Sequence, residues 1–422
     1  MHANTALAQA MVQLRPRFEV ADIFRAHGQA YSKAHPLNKE QRKAMRDIQA
    51  CRTAALGGHV DVCDNGCGFM RISYNSCRNR NCPKCQSLQS VRWLEKRFER
   101  MLPTNYFHVV VTFPHGLNPL ILHNKEVLYH IMFKATAQSL VQLARDWKRL
   151  RAQIGITAIL HTWNQNLLFH PHIHMVVTAG GLDQSQTRWI ESRNKFLVPV
   201  EALSVKIRGK FVHYLNKAYD KGELEFRGSI RDLEDPKAFG NLISSLYQHK
   251  WVIYSKQPFA DPQHVFKYLS RYTHKVAISN HRLVSVTDGH VTFLARDNKD
   301  TGKHRSVTIT PEEFIRRFLL HVIPSGFTKI RHYGLMGSAN AKTKLEVARK
   351  LLLAAKAPTP QTQPILRQCQ PTPTWQEVFL RATGIDLTLC PKCGKGRLIR
   401  EPLSFRDHKH ALHSAPIFLD SS

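Results

Sequence analysis

Six of the chain's nine cysteines fall between positions 51 and 85, at Cys51, Cys63, Cys67, Cys77, Cys82 and Cys85. The segment that holds them is rich in Gly, Asn and Arg and has too few large apolar residues to close a core of its own. Such a stretch folds only if something other than hydrophobic burial holds it, and clustered thiols point to a metal ion. Cys63-x3-Cys67 and Cys82-x2-Cys85 are close pairs separated by 14 residues, a zinc-finger-like spacing. The expected zinc ligands are Cys63, Cys67, Cys77, Cys82 and Cys85, with Cys51 and His59 as extra donors and room for one or two ions. No basic region followed by an apolar core opens the chain, so disulfides are disfavoured and a cytoplasmic location is expected. Cys390-x2-Cys393 reads as half a zinc ribbon. Its missing pair has candidates in Cys369, His408, His410 and His413; the alternative is an unpaired knuckle in a tail.

The 422 residues are enough for two or three domains. Asn38 with Gln41 three positions on is a capping box, which predicts a helix over 38–50. A second helical pattern follows the cysteines, with Val91, Leu94, Phe98 and Met101 on one stripe, and Pro103 closes the module. The grammar then changes. Residues 106–114 form a β-branched and aromatic run, 118–150 read as helical, and 156–165 and 170–181 read as two strands of an antiparallel hairpin. Residues 200–250 are mainly helical, and 251–259 are strand-like. Asp261 and Pro262 start a helix over 262–275, Asp288-Gly289 marks a hairpin over 281–296, and Pro311 opens another helix. Five prolines among Thr and Gln make 357–374 a linker. The expected division is 1–102, 103–350 and 351–422.

The balance of 61 Lys+Arg against 31 Asp+Glu leaves +30, which calls for a polyanionic partner, nucleic acid first. With 6 Trp and 21 Phe the chain is unlike short packaging proteins, and large packed domains are expected to carry the charge on their surfaces. No stretch approaches the ~18–20 uninterrupted apolar residues of a membrane helix. A single basic run is by default a solvated face. Here several runs bracket the 262–275 helix together with aromatic residues, so Arg271, Lys275, Lys329, Arg331 and His332 are candidates for DNA phosphate contacts, with stacking available from the aromatics. Arg71, Arg78, Arg80 and Lys84 decorate the cysteine segment in the same way.

Two further patterns carry chemistry. His172 and His174 flank Ile173 on a predicted strand, so both imidazoles point to one face and Ile173 packs on the other. A bare His-x-His is ordinarily a surface or core pair. Here the strand is otherwise apolar (Met175, Val176, Val177), which makes two histidines costly unless they are used. The hairpin partner offers Gln165, seven residues before His172 and expected opposite it, as a third metal ligand; His161 and His170 are further candidates. Tyr268 and Tyr272 are one turn apart on the 262–275 helix, although Tyr272 falls almost on the apolar stripe of Val265, Leu269 and Val276.

His172-Ile173-His174 on a strand followed by a helix bearing YLSRY resembles the HUH single-strand nucleases. More closely, the chain is similar to the two-tyrosine rolling-circle transposases of the insertion sequence ninety-one type. Five blocks agree in order: CRTAALGGHVDVC, YNSCRNRNCPKCQ, HTWNQNLLFHPHIH, YLSRYTHKVAISNHR and EFIRRFLLHVIPSGFTKIRHYGLMG. The resemblance implies an α+β fold in which an antiparallel sheet flanked by helices follows a small zinc-binding domain. It implies that His172 and His174 ligate a divalent cation, Mg²⁺ or Mn²⁺, and that Tyr268 and Tyr272 are nucleophiles. The implied reaction is transesterification of single-stranded DNA through a 5′-phosphotyrosine, mobilising an insertion sequence by a rolling-circle-like route. No nucleotide cofactor is expected, since no glycine-rich phosphate loop is present. The competing expectations are a plasmid or phage rolling-circle replication initiator and a non-catalytic zinc-dependent DNA-binding regulator.

Overall fold

The computed structural model describes residues 16–85, 100–192, 197–259, 277–287, 289–297, 303–355, 377, 380 and 386–403. The helix expected at 90–102 falls largely outside these residues, and the tyrosine helix at 262–275, with Arg271 and Lys275, falls wholly outside. The chain divides into two compact units that are not consecutive blocks. One gathers the described residues within Met1–Gln89, Ile278–Arg316 and Pro360–Ser422; the other gathers those within Ser90–Ala277 and Arg317–Thr359. Residues 386–403 therefore belong with the cysteine segment, where a separate tail was expected. Among the described residues, no helix is long and apolar enough to cross a membrane.

In the first unit, helix α1 (Val20–Ala34) and helix α2 (Lys39–Ala50) bury Ile23, Phe24, Ala44, Met45 and Ile48. The capping box read from the sequence is present: the Gln41 N–H donates to Asn38 Oδ1 at 2.8 Å, and the Asn38 N–H donates to Gln41 Oε1 at 3.1 Å. Strands β1 (Gly58–Cys63) and β2 (Met70–Tyr74) pair antiparallel.

The second unit is built on one antiparallel sheet. Strand β3 (Tyr106–Thr112) precedes helices α3 (Asn118–His123) and α4 (Lys125–Arg145), which replace the single helix expected over 118–150 and break at Asn124. Strands β4 (Gln153–Trp163) and β5 (Phe169–Leu182) form the expected hairpin. Then follow β6 (Trp189–Glu191), α5 (Val200–Asp220), α6 (Pro236–Gln248) and β7 (Val252–Phe259).

Back in the first unit, β8 (Leu283–Thr287) and β9 (His290–Arg296) make the hairpin predicted from Asp288-Gly289, and β10 (His304–Ile309) extends it. Helix α7 (Pro311–Leu320) carries residues of both units, and β11 (Ile330–Gly334) and α8 (Lys344–Ala355) return to the second. Strand β12 (Leu398–Pro402) completes the first unit's small sheet in the order β12-β1-β2.

The large sheet runs β11-β4-β5-β3-β7, with β6 on β5. Strand alternation gives it two distinct faces. Phe107, Val109 and Val111 of β3, Ile156, Ala158 and Leu160 of β4, and Ile173, Met175 and Val177 of β5 enter one core with α4 and α5. Each fully buried Val, Leu, Ile, Phe or Met side chain among these contributes about 1.5–3 kcal/mol. Helix α4 is apolar on more than one side because it lies between sheet and helix. On the opposite face, Tyr106, Ile159 and Val176 pack against Leu345, Ala348 and Leu352 of α8. That helix covers one end of the face, and the histidines occupy the other.

Gly334 ends β11 with φ +59°, and a Cβ there would collide with the Ile154 carbonyl oxygen. Strain and collision act together at this position. Gly334→Ala should therefore destabilise the second unit by roughly 3–5 kcal/mol, read as a lowered Tm in thermal unfolding.

Candidate metal centres

The β4–β5 pairing sets the histidine centre. Directly opposed residues on antiparallel strands share a face, and the register places His161 opposite His172. Gln165, expected in that position, sits instead in the turn between the strands. Ring centroids are 4.8 Å apart for His172 and His174, 5.3 Å for His161 and His172, and 4.3 Å for His161 and His174. One ring nitrogen from each of the three lies within 4.8 Å of the others. His170 continues the row 5.2 Å from His172.

Hydrogen bonds orient these rings. His172 Nδ1 donates to the His170 carbonyl oxygen at 2.7 Å, which leaves the lone pair on Nε2 as the ligand position. His174 Nδ1 lies 2.9 Å from Nε2 of His108, a buried residue of β3 whose ring is nearly parallel to it and meets it edge to edge. Nothing in the sequence singled out His108. Its signal was a polar residue inside an apolar strand, and its partner became visible only once β3 lay beside β5. Burial pushes the His172 pKa down to about 4, and burial followed by the neighbouring His161 pushes His174 well below the ordinary value. At neutral pH both rings are uncharged, the state in which imidazole ligates a metal. The donor set therefore fits a divalent cation.

The turn that carries this register has its own supports. Asn164 Oδ1 accepts from the N–H groups of Asn166 at 2.9 Å and Leu168 at 3.0 Å, and Leu167 adopts φ +62°. Arg317 Nη1 donates to the Asn166 carbonyl at 2.9 Å. The buried His321 donates from Nε2 to the Leu167 carbonyl at 3.0 Å, and its Nδ1 accepts from the Thr162 hydroxyl at 3.2 Å. EFIRRFLLHV, singled out in the sequence for its resemblance, thus clamps the hairpin turn.

At the β11 edge, Arg331 lies 4.6 Å from the Phe133 ring and 4.9 Å from the Phe327 ring. It lines a cavity of about 440 Å³ with Arg100, His130 and His332, while His332 Nδ1 sits 3.0 Å from Thr157 Oγ1. Lys329 immediately precedes this strand, and its carbonyl accepts from the Leu160 N–H.

In the first unit the thiols form two groups of four, Cys51 with Cys77, Cys82 and Cys85, and Cys63 with Cys67, Cys390 and Cys393. The five-cysteine set expected from the sequence is divided between them. Cys51 moves from spare to member, and the ribbon half at 390–393 finds its partners 323 and 330 residues upstream, at Cys67 and Cys63; Cys369 and the histidines of 408–413 lie outside the described residues. His59 is in neither group. Cys85 Sγ is 3.4 Å from Cys51 Sγ and 3.6 Å from Cys77 Sγ. Hydrogen bonds from Cys77 and Cys82 hold Cys51 down to about 7.

Comparison with known proteins finds two family matches along the chain. Residues 23–113 match the family described as a transposase zinc-binding domain, and residues 155–344 match a family described as putative transposase. A putative transposase of Sinorhizobium fredii is 44% identical over 382 residues, covering 90% of this chain and 94% of that protein. The transposase for insertion sequence element IS801 of Pseudomonas savastanoi pv. phaseolicola is 27% identical over 327 residues, covering 75% and 77%. No solved structure matches the chain. The chain belongs to the IS91-type transposases, DNA-processing enzymes with an N-terminal zinc-binding domain.

Two outcomes are expected of the supporting residues. His108→Ala should weaken divalent-metal binding about 10–100-fold in a calorimetric titration, as loss of a ligand-orienting partner does elsewhere. Burial holds His321 at about 3, against an ordinary 6.5 in the unfolded chain. The unfolded state then binds a proton that the folded state refuses, so stability falls as pH drops from about 6.5 toward 3. His321→Gln should flatten that slope in denaturant titrations at a series of pH values.

Proposed function

We propose that this transposase cuts and rejoins single-stranded DNA by tyrosine transesterification at the histidine face. The observation that carries the reading is the group of His161, His172 and His174 on the face of the sheet whose other end α8 covers, with His172 and His174 held uncharged by burial. His172 and His174 hold the cation, with His161 as third ligand and Gln165 as a candidate from the turn. Three imidazoles with no carboxylate among the described residues favour Mn²⁺ over the harder Mg²⁺. When bound, such a cation offsets the charge that gathers on the phosphate oxygens during displacement.

Tyr268 and Tyr272 are the nucleophiles, on the segment that follows β7. Tyr106 and Tyr129 are fully buried, and burial raises their hydroxyl pKa values, which takes them out of contention. The tyrosine Oη bonds to phosphorus as the P–O3′ bond breaks; the phenolic proton passes to solvent, and the departing 3′ oxygen is protonated to a free 3′-OH. The 5′ end is left on the protein as a phosphotyrosine. A second tyrosine allows a second strand transfer while the first is occupied. Lys329, Arg331 and His332 contact DNA phosphates at the β11 edge, joined by Arg271 and Lys275. Zinc is held in the finger by Cys51, Cys77, Cys82 and Cys85.

The test is a covalent adduct. Incubated with oligonucleotides of the element ends and Mn²⁺, the protein should form a DNA adduct that survives denaturation, and Mg²⁺ should support less. His172→Ala with His174→Ala, or Tyr268→Phe with Tyr272→Phe, should each abolish it. An adduct persisting in the double phenylalanine variant would refute the tyrosine assignment, and no adduct with any metal would point to a DNA-binding role without strand chemistry.

A further inference from the structure

The second thiol group lies partly beyond the stretch matched as a zinc-binding domain, which ends at residue 113, well before Cys390 and Cys393. We propose that Cys63, Cys67, Cys390 and Cys393 form a second structural zinc site, which builds the C-terminal segment into the N-terminal finger. The proposal is independent of the tyrosine chemistry.

Distances support a tetrahedral ion. Zn–S bonds of about 2.3 Å in a tetrahedron place sulfurs about 3.8 Å apart. Cys63 Sγ lies 3.7 Å from Cys393 Sγ, and Cys67 Sγ lies 3.6 Å from Cys390 Sγ. A disulfide would require about 2.05 Å. The Gly396 N–H points at Cys393 Sγ from 3.3 Å, a bond that favours the thiolate. Gly396 is also the only residue type that fits, since a Cβ there would come within 2.5 Å of Cys63 Sγ.

The surrounding contacts are those of one folded module. Strand β12 pairs with β1 from His59 opposite Pro402 to Cys63 opposite Leu398. Asp61, at the centre of β1 and only 2% exposed, receives Arg71 Nη2 from β2 at 3.0 Å and Arg400 Nε from β12 at 2.9 Å. Burial alone would raise its pKa, but the two guanidiniums outweigh burial and hold it below the usual carboxylate value. Lys392 Nζ donates to the Cys67 carbonyl at 2.8 Å, and the Arg397 N–H donates to Asp64 Oδ1 at 2.7 Å. A buried carboxylate paired from both sides is lost if either strand leaves. The knuckle therefore closes the finger.

The full-length protein with His172→Ala and His174→Ala, which removes metal binding at the histidine face, should retain two zinc ions per chain by elemental analysis after mild chelation. Adding Cys390→Ser and Cys393→Ser should leave one. One ion in the first protein, or two in the second, would overturn the proposal. If the serine variant does not fold, alkylation of the unaltered protein read by mass spectrometry decides. Cys63, Cys67, Cys390 and Cys393 should be protected together and become reactive together on zinc extraction. Rapid alkylation of Cys390 and Cys393 in the zinc-loaded protein would refute the site.

Discussion

The pairing of β4 with β5 is the constraint on which the histidine face depends. A strand has a side-chain period of two, so a slip of one residue would carry His161 away from His172 and turn the apolar set of β5 out of its core. Hydrophobic burial on one face thus fixes the position of polar groups on the other. Asn164 closes the turn locally, and Arg317 and His321 hold it from outside the hairpin. Arg317 belongs to α7 and His321 lies just past its end; neither is one of the three clustered imidazoles, yet the alignment of those rings rests on the turn they hold.

Burial also sets the chemistry of both units. Around His172 and His174 it removes water, so the rings stay neutral and remain available as ligands in a chain whose net charge is +30. In the small sheet the same desolvation would neutralise Asp61, and two arginines keep it ionised. Asp61 and His174 each find a partner on a neighbouring strand, which ties the small sheet and the large one to their registers.

Much of this was legible locally. The capping box at Asn38, the hairpin over the two histidines, the hairpin pairing of β8 with β9 and the side-by-side projection of His172 and His174 all follow from local spacing, and each is present. The single helix read over 118–150 was less exact, because the break at Asn124 leaves apolar periodicity nearly intact on both sides. Seven-residue spacing predicts Gln165 opposite His172, but Asn164 tightens the turn and leaves Gln165 within it. An isolated histidine in a buried strand, such as His108, carries no spacing signal.

The sequence by itself determined the parts whose physics is local: the alternation of β5, the thiol spacing that demands a metal, and the basic excess that suits DNA. Only the tertiary structure decided which parts meet. It brought β3 beside β5 to set His108 against His174, and it brought β12 beside β1 to divide the cysteines into two groups of four. Ligand spacing read along a chain identifies donors but not their partners. Closing a loop of more than 300 residues costs little more than closing a short one, so the partner in space is chosen by pairing and burial rather than by distance in sequence.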